Sequence, residues 1–232
     1  MLRVNQLTGF ANRAVVTAPG AFPLVNGTNT STEEADVTSH AVLLPASVAI
    51  GELLIVTITL GNATTNVTTI STPSGWTALF NEAQAGRTSA GFYRVADGSE
   101  GASVAVSSSE ARSSVHQSFR ISNYQGSPEA AATNAISADP DPPSLSPSWG
   151  SADNLWLVFE GHRSGNVAAS ALPPGYSNDL TIRNGGAATT NGFARSTTAR
   201  RNLTTASENP GAFTLGSGTT RWVAATIAIR GA

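Results

Sequence analysis

The chain contains no lysine and no cysteine. Without cysteine there is no disulfide framework and no thiolate to act as nucleophile or soft-metal ligand. Without lysine, all thirteen basic residues are arginine, and the sequence lacks the side chain most used to guard exposed strand edges. Charged residues of either sign make up 12% of the chain, about half the usual ~25%. The solvated surface must therefore be built mostly from Ser, Thr, Asn, Gln and Gly. The net charge is −2 and the arginines are scattered, which leaves no basic stripe for nucleic acid. No run of about twenty apolar residues is present to span a membrane. The opening residues, MLRVNQLTGFANRAVV, lack the continuous apolar stretch of a secretion signal. Synthesis in a cytoplasm is the expectation, with any extracellular place reached as part of a larger particle. The sequons at Asn26, Asn29, Asn62, Asn66 and Asn202 are what an Asn- and Thr-rich composition yields by chance.

What is present is β-structure. The 232 residues, 40% hydrophobic, suffice for one substantial core. Residues 1–38 carry a short apolar stretch, Leu2, Val4, Leu7 and Phe10, then a segment broken by Pro and Gly. This reads either as an extended arm plus linker or as a first strand; the arm is the reading taken forward. From His40 onward, short β-branched runs alternate with turn residues, the pattern of sandwiches and barrels. GELLIVTITL is a buried strand, followed by WTALF, AGFYRVA, ASVAVSS and VHQSFRIS, so five strands are predicted before residue 123. RVADGSEGASV predicts a hairpin through its Asp-Gly turn. Residues 124–150 hold five of the twelve prolines and read as a crossover loop, since a central strand does not tolerate them.

Beyond that loop the series restarts. DNLWLVFEG repeats GELLIVTI, with Leu53 over Leu155 and Val56 over Val158. Pro73, Gly75 and Trp76 fall on Pro173, Gly175 and Tyr176, and Gly91, Phe92 and Arg94 fall on Gly192, Phe193 and Arg195. WVAATIAIR closes the second half as VHQSFRIS closes the first. The prediction is an all-β, jelly-roll-like β-sandwich over residues 39–232. Its two pseudo-repeated halves span about 39–123 and 151–232, each unable to cover its own apolar face alone. Trp76 and Tyr176 read as equivalent plugs of the core.

The sequence is thin in chemistry. No nucleophile elbow, phosphate loop, dinucleotide fingerprint or zincin motif occurs. Glu160 and His162, two apart on a strand, share one face and form the best acid/base or metal candidate, with His116 as a distant third member. Asp139 and Asp141 of ADPDPP offer too few oxygens for a calcium loop. Neither set reaches the three or four convergent ligands of a metal centre, and no metal or other cofactor is expected. Tyr124 and Trp149, in loops, and Tyr176 are the aromatic candidates for stacking on a sugar or filling a partner pocket.

Three stretches carry a resemblance: LPASVAIGELLIVTITLG, TPSGWTALF and FYRVADGSEGASVAV. Their pattern of a G-D/E-LL strand, a P-x-GW turn and a Y-R/K-V-A-x-G-x-E hairpin is similar to a β-sandwich module of tailed-bacteriophage and gene-transfer-agent virion proteins. It covers residues 40 to 122 well and 150 to 230 weakly. The resemblance implies a virion structural protein without catalytic residues: a capsid decoration protein, of cement or head-fibre type, bound to the major capsid protein on the capsid surface. The apolar arm of Leu2, Val4, Leu7 and Phe10 would anchor it. The alternative is a tail-fibre or head-fibre adhesin that binds a host-surface glycan. Homo-oligomers are expected, because unguarded strand edges favour self-pairing and virion lattices supply symmetric positions.

Overall fold

The computed structural model describes residues 20–61, 67–163, 169–184, 193–216 and 218–232. Within them the fold is all-β, with no helix. The first half supplies β1 (Leu24–Leu43), β2 (Leu53–Leu60), β3 (Thr77–Gln84), β4 (Arg87–Val95) and β5 (Ser103–Ser122). The second supplies β6 (Glu129–Ser137), β7 (Ala152–His162), β8 (Ala169–Ala171), β9 (Ser177–Arg183), β10 (Arg195–Thr205), β11 (Thr214–Leu215) and β12 (Thr220–Arg230). Two antiparallel five-stranded sheets result, in the orders β1-β5-β2-β4-β3 and β6-β12-β7-β10-β9, with β8 and β11 pairing as a small ribbon.

The two orders are the same once β1, β5, β2, β4 and β3 are matched to β6, β12, β7, β10 and β9. Each half-chain thus completes one whole sheet, and the sandwich is made of two copies of one wiring diagram. The predicted repeat of Leu53 with Leu155 holds in the ladders, because Leu53 faces Ile121 on β5 as Leu155 faces Ile229 on β12. The match of Arg94 to Arg195 does not hold. Arg94 lies opposite Leu54, and the residue opposite the corresponding Trp156 is Arg201. The cause is the β9–β10 connection, which runs from 184 to 194 where β3 and β4 are joined by Ala85 and Gly86 alone, so the sequence register slips inside the longer loop.

The central strands are buried on both faces, which explains their near-continuous apolar runs. All eight residues of β2 are buried. Leu53 and Ile55 point inward with Phe119 and Ile121, to meet Leu155, Leu157, Phe159, Val223 and Ile227 of the other sheet. Leu54, Val56, Ile58 and Leu60 point outward to Phe92, Trp76 and Val106. On the second sheet Trp156 and Val158 face outward to Tyr176 and Phe213. Each such side chain contributes about 1.5–3 kcal/mol by leaving water. The outer cover is built differently in the halves. In the first, β1 and β5 are twenty-residue strands that bend through register shifts between Glu33 and Ser39, carrying Val42 and Val106 over the sheet. In the second the proline-rich chain does this, with the Pro140 and Pro143 carbonyls accepting from Phe213 N (2.8 Å) and Thr226 Oγ1 (2.6 Å). Polar side chains join the sheets as well. Gln117 accepts from Thr198 Oγ1 and donates to the Leu180 carbonyl, and Asn134 Nδ2 donates to Glu82 Oε2 at 2.7 Å.

Three local expectations change. Residues 24–38, expected within an arm and linker, form the first part of β1; the apolar residues Leu2, Val4, Leu7 and Phe10 lie outside the described residues. Residues 129–137 of the expected crossover loop are the edge strand β6, whose Ala-rich sequence gives little apolar alternation, and Pro140, Pro142, Pro143 and Pro147 follow it. The Asp97-Gly98 turn does connect β4 to β5, but these strands are not paired, because β2 lies between them. The true hairpin is β3–β4, closed by Gly86 at φ +80°. Five strands do precede residue 123: ASVAVSS and VHQSFRIS are one strand, and β1 makes up the number.

Candidate functional site

The duplicated turns are the most distinctive local feature. In each, the proline carbonyl accepts from the aromatic residue's N–H at 3.1 Å, from Trp76 to Pro73 and from Tyr176 to Pro173. Gly75 and Gly175 supply the positive φ, +77° and +79°. Trp76 and Tyr176 are 9% and 7% exposed and plug the outer cores of their sheets. The matched arginines complete each corner with a matched glutamate, Arg94 with Glu100 at 3.1 Å and Arg201 with Glu208 at 3.3 Å. Arg201 also lies 5.4 Å from the Tyr176 ring centroid. In the first half the pair holds the β4–β5 loop: Glu100 accepts from the N–H groups of Asp97 and Gly98, and Arg94 reaches Asp97 at 2.8 Å. Arg94, Ser99 and Glu100 border a shallow cleft of about 290 Å³ beside Trp76.

This geometry decides the aromatic candidates. Tyr176 is a core residue whose hydroxyl donates to Glu208 Oε1 at 3.3 Å, and burial followed by the Glu208 charge pushes its phenol upward. Its ring offers no exposed stacking face. Trp149 is half-buried against the same outer core, with Nε1 donating to Asn154 Oδ1 at 3.0 Å. Tyr124 is half-buried against the inter-sheet core, with its hydroxyl donating to the Gly51 carbonyl at 3.1 Å. Trp149 and Tyr176 therefore share a cluster, and Tyr124 belongs to a different one.

Glu160 and His162 do share a face, and His162 Nδ1 meets Glu160 Oε2 at 2.6 Å. Both are fully buried, so neither touches solvent, and Glu160 Oε1 has no hydrogen-bond partner among the described residues. His116 is remote from them. It lies opposite Ile58 on the outer face of the first sheet, whereas Glu160 continues the outward alternation of Trp156 and Val158 on the second. Asp139 and Asp141 are exposed. Among the described residues no group of three or more His, Cys, Asp or Glu could hold a metal ion.

The structure adds a chain that sequence spacing does not reveal. His116 Nδ1 meets Ser31 Oγ at 2.9 Å and its Nε2 meets Ser114 Oγ at 2.7 Å. Ser114 Oγ meets His40 Nδ1 at 2.7 Å, His40 Nε2 meets Ser108 Oγ at 2.9 Å, and Ser108 Oγ donates to the Glu110 carbonyl at 2.8 Å. That carbonyl can only accept, which sets the direction of the whole chain. Ser108 must accept from His40 Nε2–H, Ser114 donates to His40 Nδ1 and accepts from His116 Nε2–H, and Ser31 donates to His116 Nδ1. Both rings are thus neutral Nε2–H tautomers, and burial brings His40 down to about 4 and His116 to about 3. A base this weak does not activate Ser31 as a nucleophile near neutral pH.

Comparison of the chain with protein-family models, with curated proteins and with solved structures finds no match. The site must be interpreted on its own geometry. The duplicated corners and the serine–histidine chain both hold strands and covering segments in place, and the buried acid–base groups are sealed by packing.

Proposed function

We propose that the protein is a structural component of a tailed-phage-type particle, a decoration protein that binds the major capsid protein on the head surface and stabilises it by bridging neighbouring subunits. The observation that supports this reading is where the three resemblance-bearing stretches come together. Glu52 and Gly51 exchange backbone hydrogen bonds with Ala96 at 2.8 Å, Arg94 reaches toward Gly75 of the P-x-GW turn, and Glu100 closes the loop onto Arg94. The shared pattern is therefore one corner of a rigid sandwich, which suits a module working through surface area. A stable bridge of this kind buries on the order of 1,200–2,000 Å² in total. The edge strands β1, β3, β6 and β9 carry no lysine, and pairing along one of them would build the homo-oligomer that a symmetric lattice accepts. In this reading the protein is non-enzymatic, is made in the host cytoplasm, and is anchored by the apolar residues Leu2, Val4, Leu7 and Phe10. The test is a comparison of particles with and without it. DNA release on heating should begin at lower temperature in its absence, and removal of residues 1–19 should abolish binding to empty capsids. Particles equally heat-resistant without the protein would remove the bridging role.

A glycan-binding adhesin is the second reading, favoured by the partly exposed Trp149 ring and by the cleft beside Trp76. Binding on a glycan array that disappears in Trp149→Ala would support it, and silence across a broad array would count against it.

A further inference from the structure

One end of the second sheet gathers arginine. Arg163 follows β7 and Arg221 lies near the start of β12, and Arg163 N–H donates to the Arg221 carbonyl at 3.2 Å. By alternation with inward-facing Val223, Arg221 points toward the mouth between the sheets, as does its cross-strand partner Ile136. Arg163, Arg221, Ile136, Thr219 and Thr220 line a cleft of about 280 Å³ there. Thr220 Oγ1 donates to the Arg163 carbonyl and fixes that backbone. Neither arginine forms an ion pair among the described residues. Residues 164–168, which follow Arg163 in the sequence, contain no carboxylate, being Ser, Gly, Asn, Val and Ala only.

A third cation adds to the surplus. Arg87 enters from the first sheet, fully buried, with Nη1 on the Leu60 carbonyl, Nη2 on the Phe193 carbonyl at 3.3 Å, and Nε without a partner among the described residues. Burial first, then the like charge of Arg163, draws Arg87 down to about 9, with Glu160 acting in the opposite sense. Glu160 offsets part of this charge, and the like-charge repulsion left between Arg87 and Arg163 is relieved when a further negative group enters.

We infer that this mouth binds a tetrahedral oxyanion, a phosphate or sulfate group, between the Arg163 and Arg221 guanidinium groups. Two planar forks suit a doubly charged tetrahedral group, whereas a single carboxylate balances one of them. The cleft of about 280 Å³ holds one such group with room beside it for part of a carrier. Ile136, 55% exposed, gives the rim an apolar contact for whatever carries the group as an ester. Anion binding at this mouth needs no capsid partner.

The test is thermal unfolding of the full chain at pH 7 and matched ionic strength in chloride, phosphate or sulfate, and with glucose 6-sulfate or glucose. Phosphate and sulfate should raise Tm by about 3 °C at tenfold excess over Kd, while chloride and glucose should not. A sulfated sugar acting at lower concentration than free sulfate identifies an ester as the occupant, and the reverse order identifies the free ion; either result supports the site. The Arg163→Gln/Arg221→Gln variant should keep its Tm in chloride and lose the shift. If it does not fold, Arg221→Gln alone should weaken sulfate binding at least tenfold by calorimetric titration. Equal shifts in chloride and phosphate, equal shifts from glucose and its sulfate, or a variant that retains full response would overturn the assignment.

Discussion

His40 and His116 are neutral because they are buried, with serine hydroxyls as their hydrogen-bond partners. Their rings are 6.2 Å apart and 0% and 1% exposed. Glu33 stands opposite Ser114 in the ladder, and Glu110 directs its carboxylate to Arg112 and Thr68. The unfolded chain binds protons on these rings near the ordinary histidine value of 6.5, while the folded chain resists them until about 4 and about 3. The unfolded state therefore carries more protons in the interval between. Stability is fully present above pH 6.5 and is lost as the pH falls through the folded values, by about 3 kcal/mol per ring at pH 4. Urea midpoints measured from pH 7 to pH 4 should fall, and the fall should be shallower in His116→Gln. A His116→Gln profile parallel to the wild type would show that other groups set the acid response. None of this was legible in the sequence. Its members, Ser31, His40, Ser108, Ser114 and His116, are common residue types on two strands, and only the β1–β5 register brings them into line.

At the scale of elements, the P-x-G-aromatic turn was legible because it is local chemistry: proline and a positive-φ glycine fix the corner whatever surrounds it. The two copies differ in what an added methyl would meet. A Cβ on Gly75 would have Arg94 Nη1 at 3.7 Å, whereas on Gly175 it would meet Arg201 Nη1 at 3.0 Å. Gly75→Ala should cost about 1 kcal/mol from backbone strain alone. Gly175→Ala should cost more, because Arg201 must also shift from Tyr176 and Glu208. Chemical denaturation of the two variants checks this, and equal losses would mean that the arginine moves freely. The buried strands β2, β7 and β12 were legible through their apolar runs, and the two ends of β5 through their alternation. The edge strands β1 and β6 were not. β6 offers Ala, Thr and Asn to a half-buried edge, and β1 runs through Asn, Thr and Glu, so period-2 hydrophobicity is weak in both. The Asp-Gly signal misled for a topological reason: it marks where the chain reverses, but the partner strand had already been taken by β2.

For the whole molecule, the duplicated wiring raises the question of whether each sheet is also a folding unit. The packing argues that it is not. The inter-sheet core takes Leu53, Ile55, Phe80, Phe119 and Ile121 from one half and Leu155, Leu157, Phe159, Val223, Ile227 and Ile229 from the other, so a sheet alone would expose its entire inner face to water. Gly161 shows how closely the halves meet: a Cβ there would lie 2.3 Å from Thr59 Oγ1 and 2.7 Å from Ser89 Oγ. The buried Gln117 and the half-buried Glu82 and Asn134 would lose partners supplied by the opposite sheet, and an orphaned buried group costs about 1–3 kcal/mol. Residues 20–123 and 124–232 produced separately should therefore lack the near-ultraviolet circular dichroism of fixed aromatic packing and should aggregate, while co-expression should restore a soluble pair. The intact chain should unfold in one calorimetric transition, with van't Hoff and calorimetric enthalpies equal. Two transitions, or a soluble and cooperatively folded single half, would show that the outer cores around Trp76 and Tyr176 stabilise each sheet on their own, and the sandwich would then be two docked domains.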